Sequence, residues 1–125
     1  MCSLSPRNST LILDSGASVS VVSSQIFPYV HNIRRPTSSE VGTAADGHTL
    51  SITAEGELGP LQSVLLSDNI RHNCISISQL CDQDYTVTFT NSNVQVTNSL
   101  GELTGDRSGG LYTLPVHSFS LCLRR

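Results

Sequence analysis

Leu11-Ile12-Leu13-Asp14-Ser15-Gly16-Ala17-Ser18 is the stretch whose residue types can do chemistry. Its aliphatic run lacks helical spacing and is closed by glycine, so it reads as a short buried strand that delivers one carboxylate, Asp14, to its end. A lone carboxylate there is costly to bury unless something compensates. The plain reading is that Asp14 caps a turn made by Ser15-Gly16. The chemical reading is hydrolysis by paired carboxyls, one ionised to draw a proton from water and one protonated to donate to the attacked carbonyl. Two carboxyls about 3 Å apart cannot both ionise, so they hold one proton between them without a metal. The serine hydroxyl can brace such a loop by hydrogen bonding, and the glycine lets one backbone approach another. Only one Asp-Ser-Gly is present: Asp46, Asp68, Asp82, Asp84 and Asp106 lack a following Ser/Thr-Gly. The second carboxyl therefore has to come from a second copy, across a two-fold axis that sets Asp14 against its symmetry mate.

The elements that must position Asp14 follow from local pattern. Thr10–Leu13 is the first strand, Val19–Val21 the second, and Ser23 or Ser24 caps a helical turn through Gln25-Ile26-Phe27 that Pro28 stops. Arg34-Arg35 is a solvated corner. Val41–Ala45 and His48–Ile52 flank Asp46-Gly47, a two-residue hairpin signal. The small residues and glycine tip of that hairpin suit either an ordinary surface hairpin or a flap over a substrate. Gly56–Pro60 is a bend and Leu61–Leu66 a strand. Ser76 with Gln79 three residues on is a capping-box pattern, so a helix starts near Ile77 with Ile77, Leu80 and Cys81 on one face. Tyr85–Thr90 alternates apolar and threonine, a strand with Tyr85, Val87 and Phe89 inward. Val94-Gln95-Val96, a glycine-rich stretch from Gly101 to Gly110, a last strand Leu111–Val116 and a tail complete the chain. The order strand, small residues, short helix occurs at 11–27 and again at 74–83, with an aspartate only in the first copy.

Composition bounds the function. At 125 residues the chain makes one domain, with a modest core. Serine, threonine and valine outnumber helix formers, which points to an all-β fold with one or two short helices. The net charge is −3, there is no lysine, and the seven arginines are scattered, so this segment lacks the clustered basic face that nucleic-acid binding needs. No apolar run approaches the roughly 20 residues of a membrane span and the start lacks a signal-peptide core, so a soluble, intracellular protein is expected. Cys2, Cys74, Cys81 and Cys122, and His31, His48, His72 and His117, show no metal-ligand spacing, so no metal or other cofactor is expected and the thiols are read as reduced.

These pieces together resemble a retropepsin, the aspartic protease segment of a copia-type LTR retrotransposon polyprotein. The matching stretches are Leu11–Ser18, Ala45-Asp46-Gly47-His48, Ile75-Ser76-Ile77-Ser78-Gln79-Leu80 with the strand after it, and Arg107-Ser108-Gly109-Gly110-Leu111-Tyr112-Thr113-Leu114, which is similar to the stretch leading towards the integrase. The resemblance spans residues 10–116. It implies a homodimeric acid-protease barrel with Asp14 as the catalytic carboxylate, Ser15 bracing the two loops across the dimer, and Gly16 and Ala17 on the substrate backbone. Ala45, Asp46, Gly47 and His48 would form the flap tip. It divides the chain into a flexible leader (1–9), a protease core (10–92) and a C-terminal β extension (93–125). The implied substrate is the chain's own Gag-Pol polyprotein, in the cytoplasm within virus-like particles. Serine stands at position 15 where many relatives carry threonine, and Ser76 stands where viral enzymes commonly carry glycine.

Two other readings compete. A catalytically silent copy would keep the fold as a dimerisation or binding module, although such a copy has no need of Asp14. A serine hydrolase would use Gly105-Asp106-Arg107-Ser108-Gly109-Gly110 as its nucleophile loop and His31 or His48 as base, but the inserted arginine breaks that pattern.

Overall fold

Strand alternation sets the first element. In the computed structural model, which describes residues 10–36 and 49–122, β1 is Thr10–Asp14. Leu11 and Leu13 point into the core at 0% and 8% exposure, while Ile12 and Asp14 lie on the half-buried face. β2 (Ser20–Ser23) starts one residue later than its sequence suggests, because Val19 is 47% exposed and the chain is still turning there. Ser23 caps the next turn as expected, its Oγ accepting from Gln25 N at 3.1 Å. The segment Ser24–Tyr29 is 3-10 in character but kinked at Ile26 (φ −93°, ψ 18°), and its second half includes Pro28 rather than stopping before it. So short a segment needs few backbone donors, so the missing proline N–H costs it little.

The Arg34-Arg35 corner is corrected for Arg34 alone, since Arg35 is exposed as expected. Arg34 ends β3 (His31–Arg34), and its guanidinium meets Glu55 Oε2 at 2.9 Å, where Glu55 is 3% exposed. The same head donates to the carbonyls of Asn32 and Gln62. A buried carboxylate demands such a partner, and the neighbouring strand supplied it. That strand, β4 (Ile52–Leu58), extends through most of the expected bend, and only Gly59-Pro60 turns the chain into β5 (Leu61–Ser67).

β6 (Asn73–Ser76) and α1 (Ile77–Asp82) follow, with Ser76 Oγ accepting from Gln79 N at 3.2 Å. Leu80 is fully buried, Ile77 is half-buried and Cys81 is exposed, so the apolar face is narrower than its spacing suggests. In β7 (Thr86–Phe89) burial fades along the alternation: Tyr85 just before the strand is 4% exposed, Val87 half-buried and Phe89 42% exposed. β7 is the outermost strand, so its far end has no sheet to lie on; Phe89 instead meets Tyr112 edge-on at 4.7 Å.

β8 (Asn93–Asn98), β9 (Gly101–Ser108) and β10 (Leu111–Pro115) form a meander, so the glycine-rich stretch is itself a strand. Gly105 explains why: a Cβ there would fall 1.9 Å from the Thr113 carbonyl oxygen, so only glycine lets β10 cross so closely. Gly109 and Gly110, at φ +59° and +81°, make the tight turn into β10. The expected last strand gives way at Val116 to a helix, α2 (Val116–Cys122), which buries Val116 and Phe119 at 1% and 0% exposure.

The ten strands of the described residues join one sheet in the order β3-β4-β5-β2-β6-β1-β10-β9-β8-β7, and the protein is mainly β. The centre carries two parallel pairs, β1 with β6 and β2 with β5, tied by an antiparallel contact between β2 and β6. β10 lies between β1 and β9, so both its edges are occupied, whereas among the described residues β7 pairs with β8 alone. No helix among the described residues is long and apolar enough to cross a membrane.

Candidate active site

The parallel pairing of β1 and β6 builds the site. Its register sets Ile12 beside Cys74 and Asp14 beside Ser76, so these four side chains share one face of the sheet. The two copies of the strand, small-residue, short-helix order seen in the sequence thus lie side by side. Asp14 ends its strand half-buried, and its Oδ1 accepts from Gly16 N at 2.8 Å. This closes Ser15-Gly16 into an Asx-type turn. Ser15, Gly16 and Ser18 are exposed and Ala17 is half-buried.

Behind the turn lies a hydroxyl network. Ser76 Oγ donates to the Ala17 carbonyl at 2.7 Å. Ser76 has one hydroxyl proton, so Ser78 Oγ, 2.8 Å away, donates to it in turn. Ser20 Oγ accepts from Ser76 N at 2.9 Å and donates to Gln79 Oε1, while Gln79 Nε2 donates to the Ser63 carbonyl at 3.3 Å. Ser20 and Ser76 are both fully buried. Gln79 therefore does not fold back onto the Ser76 amide as a simple capping box would; Ser20 stands between them. Sequence reasoning singled out Ser76 as a cap but missed Ser20 and Cys74 as neighbours of the acid. The repeated strand-helix order was the available signal, since it pointed to the ends of β1 and β6.

Cys74 feels the acid directly. Burial, and then the negative charge of Asp14, push its thiol above the usual range. A raised value means less thiolate at mildly alkaline pH, so alkylation at about pH 8 is expected to label exposed Cys81 well before Cys74. Peptide mapping by mass spectrometry after timed exposure reads this, and equal rates at the two thiols would contradict the placement of Cys74.

The expected flap tip, Ala45, Asp46, Gly47 and His48, lies outside the described residues. The chain that returns from it is held by Asn69, whose Oδ1 accepts from Ser51 N at 2.9 Å and whose Nδ2 donates to the Thr49 carbonyl at 3.0 Å. The serine-hydrolase set is not assembled among the described residues. Ser108 precedes the β9–β10 turn, His31 opens β3, and six strands separate β3 from β9 in the sheet order. Among the described residues no three His, Cys, Asp or Glu side chains converge as metal ligands.

A cleft of about 470 Å³ opens elsewhere, between Thr10 at the start of β1 and Tyr29, Asp106 and His117. It shares no residue with the Asp14 turn, which sits at the far end of β1. Within one copy the Asp14 turn lies at the surface, with Asp14 half-buried and Ser15 and Gly16 exposed. Comparison with known protein families, with curated proteins and with solved structures finds no match.

Proposed function

We propose that this chain is an aspartic endopeptidase of the retropepsin type, working as a homodimer that cleaves the Gag-Pol polyprotein of a copia-type LTR retrotransposon. The observation that carries the reading is the placement of Asp14: it ends a central strand, half-buried in a tight turn whose Ser15 and Gly16 are exposed and whose Ala17 carbonyl is held by Ser76 of the adjacent strand. A carboxylate that only capped a turn would not need two further strands and a buried hydroxyl network to fix its loop.

The reaction follows from a symmetric pair. With Asp14 of each copy facing the other, one carboxylate takes a proton from water and the other, protonated, donates to the scissile carbonyl oxygen. In this reading Ser15, exposed beside the acid, braces the two turns against each other, and Gly16 and Ala17 present backbone to an extended peptide. The pair's shared proton offsets the cost of desolvating the acid.

The dimer this reading requires forms around the turn itself. β10 has no edge to offer, and the open edge of β7 lies four strands from β1, about 19 Å at ordinary strand spacing. Val19, 47% exposed beside the turn, supplies apolar surface for the contact.

Two behaviours test the reading. Peptide cleavage is expected to peak below neutral pH, because one proton must stay on the pair; a flat rate from about pH 4 to about pH 8 would overturn it. Specific activity is expected to fall on dilution as dimers separate, with sedimentation shifting from dimer to monomer over the same range and a statine-type peptide inhibitor reversing the shift. Activity independent of concentration while sedimentation records monomers would rule out a site shared between copies.

A further inference from the structure

We propose that Ser76 is a positioning residue for the Asp14 turn, with Ser20 and Gln79 as its support, an inference that rests on the protease reading for its catalytic consequence. Ser76 makes four separate connections. Its hydroxyl donates to the Ala17 carbonyl at 2.7 Å, accepts from Gln79 N at 3.2 Å to cap α1, and lies 2.8 Å from Ser78 Oγ. Its amide donates to Ser20 Oγ at 2.9 Å. Ser20 in turn begins β2, the strand that leaves the turn, so the network grips the loop at both Ala17 and Ser20.

The arrangement constrains a loop that has little else to hold it. Ser15, Gly16 and Ser18 are exposed, and the Asp14–Gly16 bond is internal to the turn, so it fixes the shape of the turn without fixing its direction. The direction comes from β6. Because Ser76 is in register with Asp14, its hydroxyl reaches the loop carbonyl from the adjacent strand, 59 positions away in the chain. The hydroxyl is fully buried and has its single proton committed, so neither water nor rotation readily releases the carbonyl. A glycine here would leave the Ala17 carbonyl without this donor. The loop would keep its Asx turn but could swing, and a displacement of about 1 Å is enough to cost a catalytic group a large part of its rate.

The test uses the full-length protein with Ser76→Ala, which removes donor and cap together, and Ser76→Thr, which keeps a hydroxyl capable of both. Leu103→Ala, on half-buried β9 away from the turn, serves as a control for general destabilisation. The first readout is independent of activity. Amide order parameters at Ala17 and Ser18 are expected to drop from about 0.85 towards 0.6 or below in Ser76→Ala, and to stay high in Ser76→Thr and Leu103→Ala. The second is kcat per active site, with sites counted by a tight-binding statine-type peptide. Ser76→Ala is expected to lower kcat about tenfold to a hundredfold with KM changed less than about threefold, and Ser76→Thr to recover most of the loss.

Unchanged order parameters in Ser76→Ala would overturn the proposal. So would a loss in Ser76→Ala that Leu103→Ala reproduces, since that would mark a purely structural role. If the wild type shows no cleavage that depends on Asp14, the protease reading fails, and the order parameters decide the clamp on their own.

Discussion

Asp14→Asn is expected to remove peptide cleavage, by about ten-thousandfold or to below detection, while the fold survives. The substitution keeps the volume of the side chain, and its amide oxygen can still accept from Gly16 N as Asp14 Oδ1 does at 2.8 Å. The turn, the Ser76 contact and the strand are therefore preserved. What is lost is ionisation. A carboxamide neither draws a proton from water nor returns one to a leaving group, and general acid–base steps of this kind are worth roughly a hundredfold to ten-thousandfold each. In the proposed homodimer a single substitution removes both members of the pair, which places the expected loss at the upper end. The measurement is cleavage of a broad peptide library at mildly acid pH by the wild type and by Asp14→Asn, with melting curves and sedimentation run on the same samples. Cleavage that survives the substitution would eliminate the mechanism. A wild type that dimerises but cleaves nothing would favour a binding module built on the same fold.

The second large effect is on stability. Phe119→Ala is expected to cost about 3–5 kcal/mol, a large share of the roughly 5–15 kcal/mol that holds a domain together. Phe119 is fully buried, and α2 carries it against β9, β10 and the 3-10 turn. Truncation removes the ring and leaves a cavity at the junction of the last helix with the sheet, which a seven-residue helix cannot collapse to fill. Leu121, 49% exposed two residues further on, is the control, and Leu121→Ala is expected to change stability by less than about 0.5 kcal/mol. Urea unfolding at one fixed protein concentration measures both, because dimerisation would otherwise shift the midpoints. Equal effects for the two variants would mean that α2 does not pack as described.

Both residues bear on what was legible in the chain. The Asp14 turn, the Ser23 and Ser76 caps, β5 and β10 all follow from neighbouring residues: aliphatic alternation, a hydroxyl before a short helix, a glycine after an acid. α2 carries no such sign. Val116-His117-Ser118-Phe119-Ser120-Leu121-Cys122 is short and poor in helix formers, and its helix is supported by the burial of Val116 and Phe119 against the rest of the fold. β9 is hidden in the same way, since Gly101–Ser108 has the composition of a loop and becomes a strand because Gly105 fits beneath the Thr113 carbonyl. Arg34 reads as a surface charge until β4 brings the buried carboxylate of Glu55 to it.

The candidate site divides along the same line. Residue order alone determined that an acid ends a strand and is followed by a hydroxyl, a glycine and a small residue, and that a second strand ends in a capping serine. Those are properties of adjacent residues, written in backbone preference and local hydrogen bonding. Only the tertiary structure decided that the two strands lie parallel with Asp14 beside Ser76, that Ser20 and Gln79 complete the support, and that Cys74 shares the face of the acid. Register between distant strands depends on how whole faces bury against the core, and no short window of residues contains that information.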